Sequence, residues 1–158
     1  MMKRSPRSPK IWLLVLSLTL ASSAIGQERK IKRWDLPAAV EKTVVEQSKG
    51  ATIRGFSEEK ENGQTTYEAE MLVNGCTKDV EMDANGALLE IEEQVDLQSL
   101  SPEIIAGLQA KAAKGKISKV ESITKKGTLV AYEAQVVTDG KKSEVQVGPD
   151  GKPLDHEE

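Results

Sequence analysis

The sequence predicts an α+β fold of two tandem αββββ modules, each a helix packed on an antiparallel four-stranded meander sheet. Three observations predict it. A stretch Tyr67-Glu68-Ala69-Glu70-Met71-Leu72-Val73-Asn74-Gly75 returns 65 residues later as Tyr132-Glu133-Ala134-Gln135-Val136-Val137-Thr138-Asp139-Gly140. Each copy alternates in character, as a half-buried strand does, and ends on Asn-Gly or Asp-Gly, which tolerate the positive φ angles of a two-residue hairpin turn. Laying residues 37–93 on 102–158 without gaps gives 14 identities in 57 positions, and these pick out helix starts, turns and core-facing sites together. Pro37 meets Pro102, Gly50 meets Gly115, Gly86 meets Gly151 and Leu89 meets Leu154, so the chain reads as a duplication. Agreement falls off between 51 and 66, where a one-residue shift aligns Ile53 with Ile117; a compensated insertion or bulge is expected there.

Residues 1–26 read as a signal peptide. Lys3, Arg4, Arg7 and Lys10 precede an apolar run from Ile11 to Ala21, and Ala24-Ile25-Gly26 offers small residues for cleavage. The run is 11 residues long, against the ~20 a spanning helix needs, so the mature chain is expected to have no membrane span and to be periplasmic or extracellular. Residues 27–35, with Arg29, Lys30, Lys32 and Arg33, read as a basic linker.

The first module, 36–94, opens with a helix from about Pro37 to Lys49. Proline suits the first turn and Gly50 supplies a left-handed stop. Four strands follow, Thr52 to Glu58, Thr65 to Val73, Thr77 to Met82 and Leu88 to Glu93, separated by Asn62-Gly63, Asn74-Gly75 and Asp83-Ala84-Asn85-Gly86. A linker at 95–100 leads to the second module, 101–158, whose helix starts at Ser101-Pro102-Glu103 with a hydroxyl cap and ends at Gly115. Its strands are expected at Ile117 to Ile123, Thr128 to Thr138, Ser143 to Val147 and Pro153 to His156.

Alternation sends Tyr67, Ala69, Met71 and Val73 toward the helix. It leaves Glu68, Glu70, Leu72 and Glu81 facing outward, with Glu133, Gln135, Val137 and Gln146 as their counterparts; these eight form the candidate binding surface. Removing the leader leaves 18 basic and 25 acidic residues, a net charge of −7, which argues against a nucleic acid partner. Mature aromatics are only Trp34, Phe56, Tyr67 and Tyr132, so the core must be aliphatic. One cysteine, Cys76, excludes an internal disulfide, and its counterpart Lys141 marks the site as exposed.

No catalytic constellation is present. His156 is the only histidine and sits among Asp155, Glu157 and Glu158 near the end of the chain, a poor general base. Asp83-Ala84-Asn85-Gly86 matches only the first part of a calcium loop and reads as a hairpin turn, so neither a metal nor a cofactor is expected.

The Leu36-Pro37-Ala38-Ala39-Val40 helix start, the Tyr67-Glu68-Ala69-Glu70 strand and the Asp83-Ala84-Asn85-Gly86 turn, each repeated around Pro102, Tyr132 and Asp150, resemble the PepSY-like domains, in particular the subgroup related in fold to the beta-lactamase inhibitory proteins. The resemblance implies an exported bacterial protein that binds a protein or peptide without catalysis, with inhibition or regulation of a secreted peptidase or other hydrolase as the expected activity. The alternative is a structural envelope-associated protein, or a small-ligand or cation-binding module, with no inhibitory role.

Overall fold

The computed structural model describes residues 27–61 and 63–158; the signal peptide expected at residues 1–26 lies outside them. The elements run β1 (Gln27–Ile31), α1 (Ala38–Gln47), β2 (Ala51–Glu61), β3 (Gln64–Val73), β4 (Cys76–Asp83), β5 (Leu88–Val95), α2 (Pro102–Ala112), β6 (Lys116–Lys125), β7 (Thr128–Thr138) and β8 (Lys141–Val147). All eight strands belong to one antiparallel sheet in the order β1-β2-β3-β4-β5-β6-β7-β8.

This overturns the expectation of two αββββ modules with separate sheets. The free edge of β5 does not stay free: it pairs with β6 from Glu90 opposite Lys125 to Val95 opposite Val120. An unpaired row of N–H and C=O groups is best satisfied by another strand, and the duplicated unit supplies one. The unit itself is also different. Ile31 opposite Phe56 and Val95 opposite Val120 are equivalent pairs 64 residues apart, so the repeat is βαβββ, with β1 and β5 as matching first strands.

Two further expectations change with it. Gln27–Ile31, read as linker, is edge strand β1, and its charges are what a strand with one free edge tolerates. Pro153 to His156 forms no strand, because β5 already serves as the first strand of the second unit and Pro153 cannot donate to a ladder.

Both helices cover the same face. Val40 and Val44 of α1 pack with Tyr67, Ala69, Met71, Val80 and Met82, and Ile91 of β5 lies against this cluster. Ile104, Leu108 and Ala112 of α2 pack with Val120, Ala134, Val136 and Val147, and Val95 joins them. Ile91 and Val95 sit four residues apart on one strand and so point the same way. Thus the two cores share one side of the sheet and meet along β5.

The turns follow the chemistry read from the sequence. Asn74-Gly75 and Asp139-Gly140 both take positive φ at both residues, as does Lys126-Gly127. Gly86 and its counterpart Gly151 have φ of 76° and 78°, and a Cβ on either would collide with a helix carbonyl, that of Ala39 or of Glu103. The turn therefore rests on the start of the helix in both halves, and in the first the Thr43 hydroxyl donates to the Gly86 carbonyl at 2.7 Å. Gly115 is a correction: Ala113, not Gly115, takes the positive φ, and Gly115 is needed because a Cβ would meet Val136 and Thr138.

Both halves carry a bulge at the same place, and the β6–β7 pairing carries one more. Register shifts between Ile53 and Gly55, and again between Ile117 and Lys119, so Arg54 and Ser118 are equivalent extra residues. A further shift on β7 passes over Val130 and restores the 65-residue offset before Tyr132.

Candidate binding face

The side of the sheet away from the helices carries the candidate residues. Hydrogen-bonding register sets side chains beside one another across strands, so a row can be followed over the whole sheet. Ser57, Glu68, Glu81 and Glu90 form one such row, and Gly55, Glu70, Asp79 and Glu92 the next. In the second half the corresponding line runs Glu121, Glu133 and Gln146. Glu68, Glu70, Leu72, Glu81, Glu133, Gln135, Val137 and Gln146 all lie on this face, and Gln146 is buried there at 5% exposure.

Alternation could place these residues on a face but could not bring together those the register adds. Glu28, Glu59, Glu90, Glu92 and Asp79 join Glu68, Glu81, Ser57 and Thr66 around a depression of about 230 Å³ on the first half. Beside it, Glu121 extends from β6 across β5. Its carboxylate accepts from the Thr77 hydroxyl of β4 at 3.0 Å and lies 2.6 Å from the Lys119 ammonium. Asp79, Glu92 and Glu121 each offer an oxygen within 4.8 Å of the others, the one set of residues among those described that could hold a metal ion. Lys119 already supplies a cation to that set, so a metal would compete with it. The signal for Glu90, Glu92 and Glu121 was present in the alternation around Leu89, Ile91 and Val120; knowledge of β5–β6 pairing was needed to join them.

The electrostatics follow from crowding carboxylates on a half-buried surface. Burial pushes Glu92 up to about 8, helped by the charges of Glu121, Glu90 and Glu133. Burial also raises Glu68, with Asp79 adding repulsion, and raises Asp79, with Glu121 and Glu70 adding to it. Glu133 is raised by burial and partly relieved by the Gln146 amide, which donates to it at 2.8 Å. Lysines reach only parts of the face: Lys30 approaches Glu70 and Lys125 approaches Glu90, each at 3.4 Å. Among the described residues no ion pair reaches Glu68, Asp79, Glu81 or Glu92.

The remaining sequence candidates stay apart from this face. Tyr67 is buried on the helix side, where burial and then Glu58 raise its phenol. The Asp83 carboxylate accepts from the Asn85 and Ala87 N–H groups at 2.8 and 2.9 Å, so it closes its own turn. Cys76 is exposed at the start of β4. His156 is exposed near Glu158, at 3.9 Å. No described helix is long and apolar enough to cross a membrane.

Comparison with solved structures places the fold. A DUF2874 family protein from Bacteroides ovatus is 20% identical, with a TM-score of 0.58 over 75% of this chain and 84% of its own. A Bacteroides eggerthii protein whose description provisionally assigns it to the periplasm is 15% identical, with a TM-score of 0.61 over 75% and 86%. A BLIP-like protein from Bacteroides fragilis is 20% identical, with a TM-score of 0.55 over 73% and 81%. At these identities the likeness is one of fold, and it bears out the resemblance to a BLIP-like fold. No protein-family model matches the chain, and no curated protein matches it.

Proposed function

We propose that this chain is an exported, non-catalytic binding protein of the PepSY-like kind, and that its open sheet face holds a protein or peptide segment presenting lysine or arginine. The observation that carries this reading is the set of half-buried acids Glu68, Asp79, Glu81 and Glu92 around one depression: Asp79 repels Glu68, Glu121 and Glu70 repel Asp79, and among the described residues none of the four takes part in an ion pair. A partner ammonium or guanidinium seated in the depression would relieve that repulsion where solvent is partly excluded, so the contact would be both charge-assisted and selective. The BLIP-like and periplasmic descriptions of the neighbours support a binding role in the same compartment.

A partner of this kind would be captured from the exported fraction by the tagged protein as a stoichiometric, salt-sensitive complex. Glu68→Gln with Glu81→Gln should weaken that complex about tenfold or more, the loss of roughly one strong charge-assisted contact. If the partner is a peptidase or other hydrolase, its activity in the complex shows whether binding inhibits. Equal capture by the double variant would sink the proposed face. Thermal stabilisation by calcium or magnesium that requires Asp79, Glu92 and Glu121, with no protein captured, would favour cation binding instead.

A further inference from the structure

The sheet ends at β8, and nothing in the described chain continues it. In the first half the matching strand, β4, is covered along its outer side by β5. The turn that follows each strand is the same: Asp83 N–H donates to the Ala87 carbonyl at 3.0 Å, and Gly148 N–H donates to the Lys152 carbonyl at 2.8 Å. Past that turn the chain diverges. The first half continues into β5, whereas Pro153 turns the second half away and Glu158 reaches the open face, donating its N–H to Gln146 at 2.8 Å. Among the described residues no strand takes beside β8 the position β5 takes beside β4, and Lys141 to Glu144 of β8 are exposed while Gln146 and Val147 are buried.

We infer that the occupant of this edge is the β8 of a second copy, paired antiparallel about Ser143 into a symmetric dimer with a continuous sixteen-stranded sheet. The sequence of β8 selects this arrangement. Centred on Ser143, two antiparallel copies set Lys142 of each opposite Glu144 of the other, and Lys141 opposite Val145. Lys142 and Glu144 lie on the same face of the strand, beside Val137 and Gln135, so the two pairs are direct cross-strand neighbours. A shift to Lys142 as centre sets two lysines against each other, so charge penalises that slip.

The competing head-to-tail arrangement, β8 against β1 of another copy, would repeat the β4–β5 register and set Glu144 opposite Glu28, as Asp79 stands opposite Glu92 within the chain. Inside the chain a hairpin turn enforces that like-charged pairing; between chains nothing does. Head-to-tail addition is also open-ended, whereas the β8–β8 contact closes on itself. Because the two-fold axis of such a strand pair stands perpendicular to the sheet, the acidic faces of both copies lie on one side.

The test is the solution mass of the exported protein between about 1 and 100 µM. A dimer is expected at the upper end, with no larger species. Glu144→Lys and Lys142→Glu should each weaken dimerisation about tenfold, since symmetry makes each reversal act twice. The double variant, Lys142→Glu with Glu144→Lys, should restore it by re-forming both pairs with charges exchanged. Circular dichroism and melting temperature of each variant confirm that the fold is retained. A monomer throughout the range, a ladder of growing oligomers, or a dimer indifferent to all three variants would each overturn the inference.

Discussion

The two halves are built alike on the helix side and differ on the open side. In both, a glycine turn lies on a helix start, two or three aliphatic side chains of the helix enter the core, and Tyr, Ala and a hydrophobe alternate along the central strand. Opposite them, the first half gathers Glu68, Asp79, Glu81, Glu90 and Glu92, while the corresponding strands of the second carry Glu133, Gln135, Glu144 and Gln146 with buried Ile123 and Ala131. Glu81 has become Gln146, which donates to Glu133. An amide donor to Glu133 thus stands in the second half where the first sets Glu81 beside Glu68. Similar scaffolds thus separate what the fold requires from what a partner requires.

The largest effect expected concerns whether the halves are independent. Met71→Ala in the first core and Leu108→Ala in the second each remove a fully buried side chain and should cost about 2–5 kcal/mol. Because β5 and β6 join the cores in one sheet, Leu108→Ala should also accelerate amide exchange in β3. Exchange in β3 that ignores Leu108→Ala would mean that the halves unfold separately despite their shared sheet.

Gly86→Ala and Gly151→Ala come next, at roughly 1–3 kcal/mol each in a denaturant titration, from a left-handed backbone combined with contact against a helix carbonyl. Near-equal losses would show the turn-on-helix contact to be equivalent in both halves; a loss at one position alone would break the likeness drawn above.

Glu92→Gln probes the open side. The folded state holds the Glu92 proton up to about pH 8, while the unfolded chain releases it near 4.5, so between these values the native state binds more protons. Stability from this group is therefore greatest below about 4.5 and falls as pH rises toward 8. The variant should flatten that fall and, at pH 8, gain on the order of 1 kcal/mol after allowance for the solvent that reaches the face. Melting temperatures across pH 4–9 decide it, and a parallel decline in both proteins would show that Glu92 does not carry the effect.

The smallest effect belongs to Arg33→Ala. The guanidinium meets Glu41 at 2.7 Å on the surface of the first half, where the second has Ala106 in place of Glu41, and its loss should cost no more than about 1 kcal/mol by thermal melting. A larger loss would make this surface pair a structural difference between the halves.

What could be read without coordinates divides along physical lines. Period-two alternation tells which side of a strand is buried, so Tyr67, Ala69 and Met71 and the outward Glu68 and Glu70 were legible, as were the turns, whose positive φ angles demand Asn, Asp or Gly. Alternation is silent about what lies beside a strand's edge. For that reason alternation alone makes β5 the last strand of one module when it is equally the first strand of the next unit, and the repeat predicts a strand at Pro153 to His156 where the chain forms none. β1 was hidden because Gln27, Glu28, Arg29 and Lys30 give no apolar rhythm and Ile31 is the one residue of the strand committed to the core. The joining of Asp79, Glu92 and Glu121 depends on the same unseen pairing.

The order of strands in the sheet, each beside its neighbour in the chain, also bears on how the molecule assembles. Five of the seven pairings are hairpins or tight returns that close over short loops and form early at little entropic cost. The other two, β1 with β2 and β5 with β6, wait for a helix to be crossed. The seam between the halves should therefore be among the later contacts to form during synthesis, when the first five strands and α1 already stand complete and only an exposed β5 edge awaits the rest of the chain.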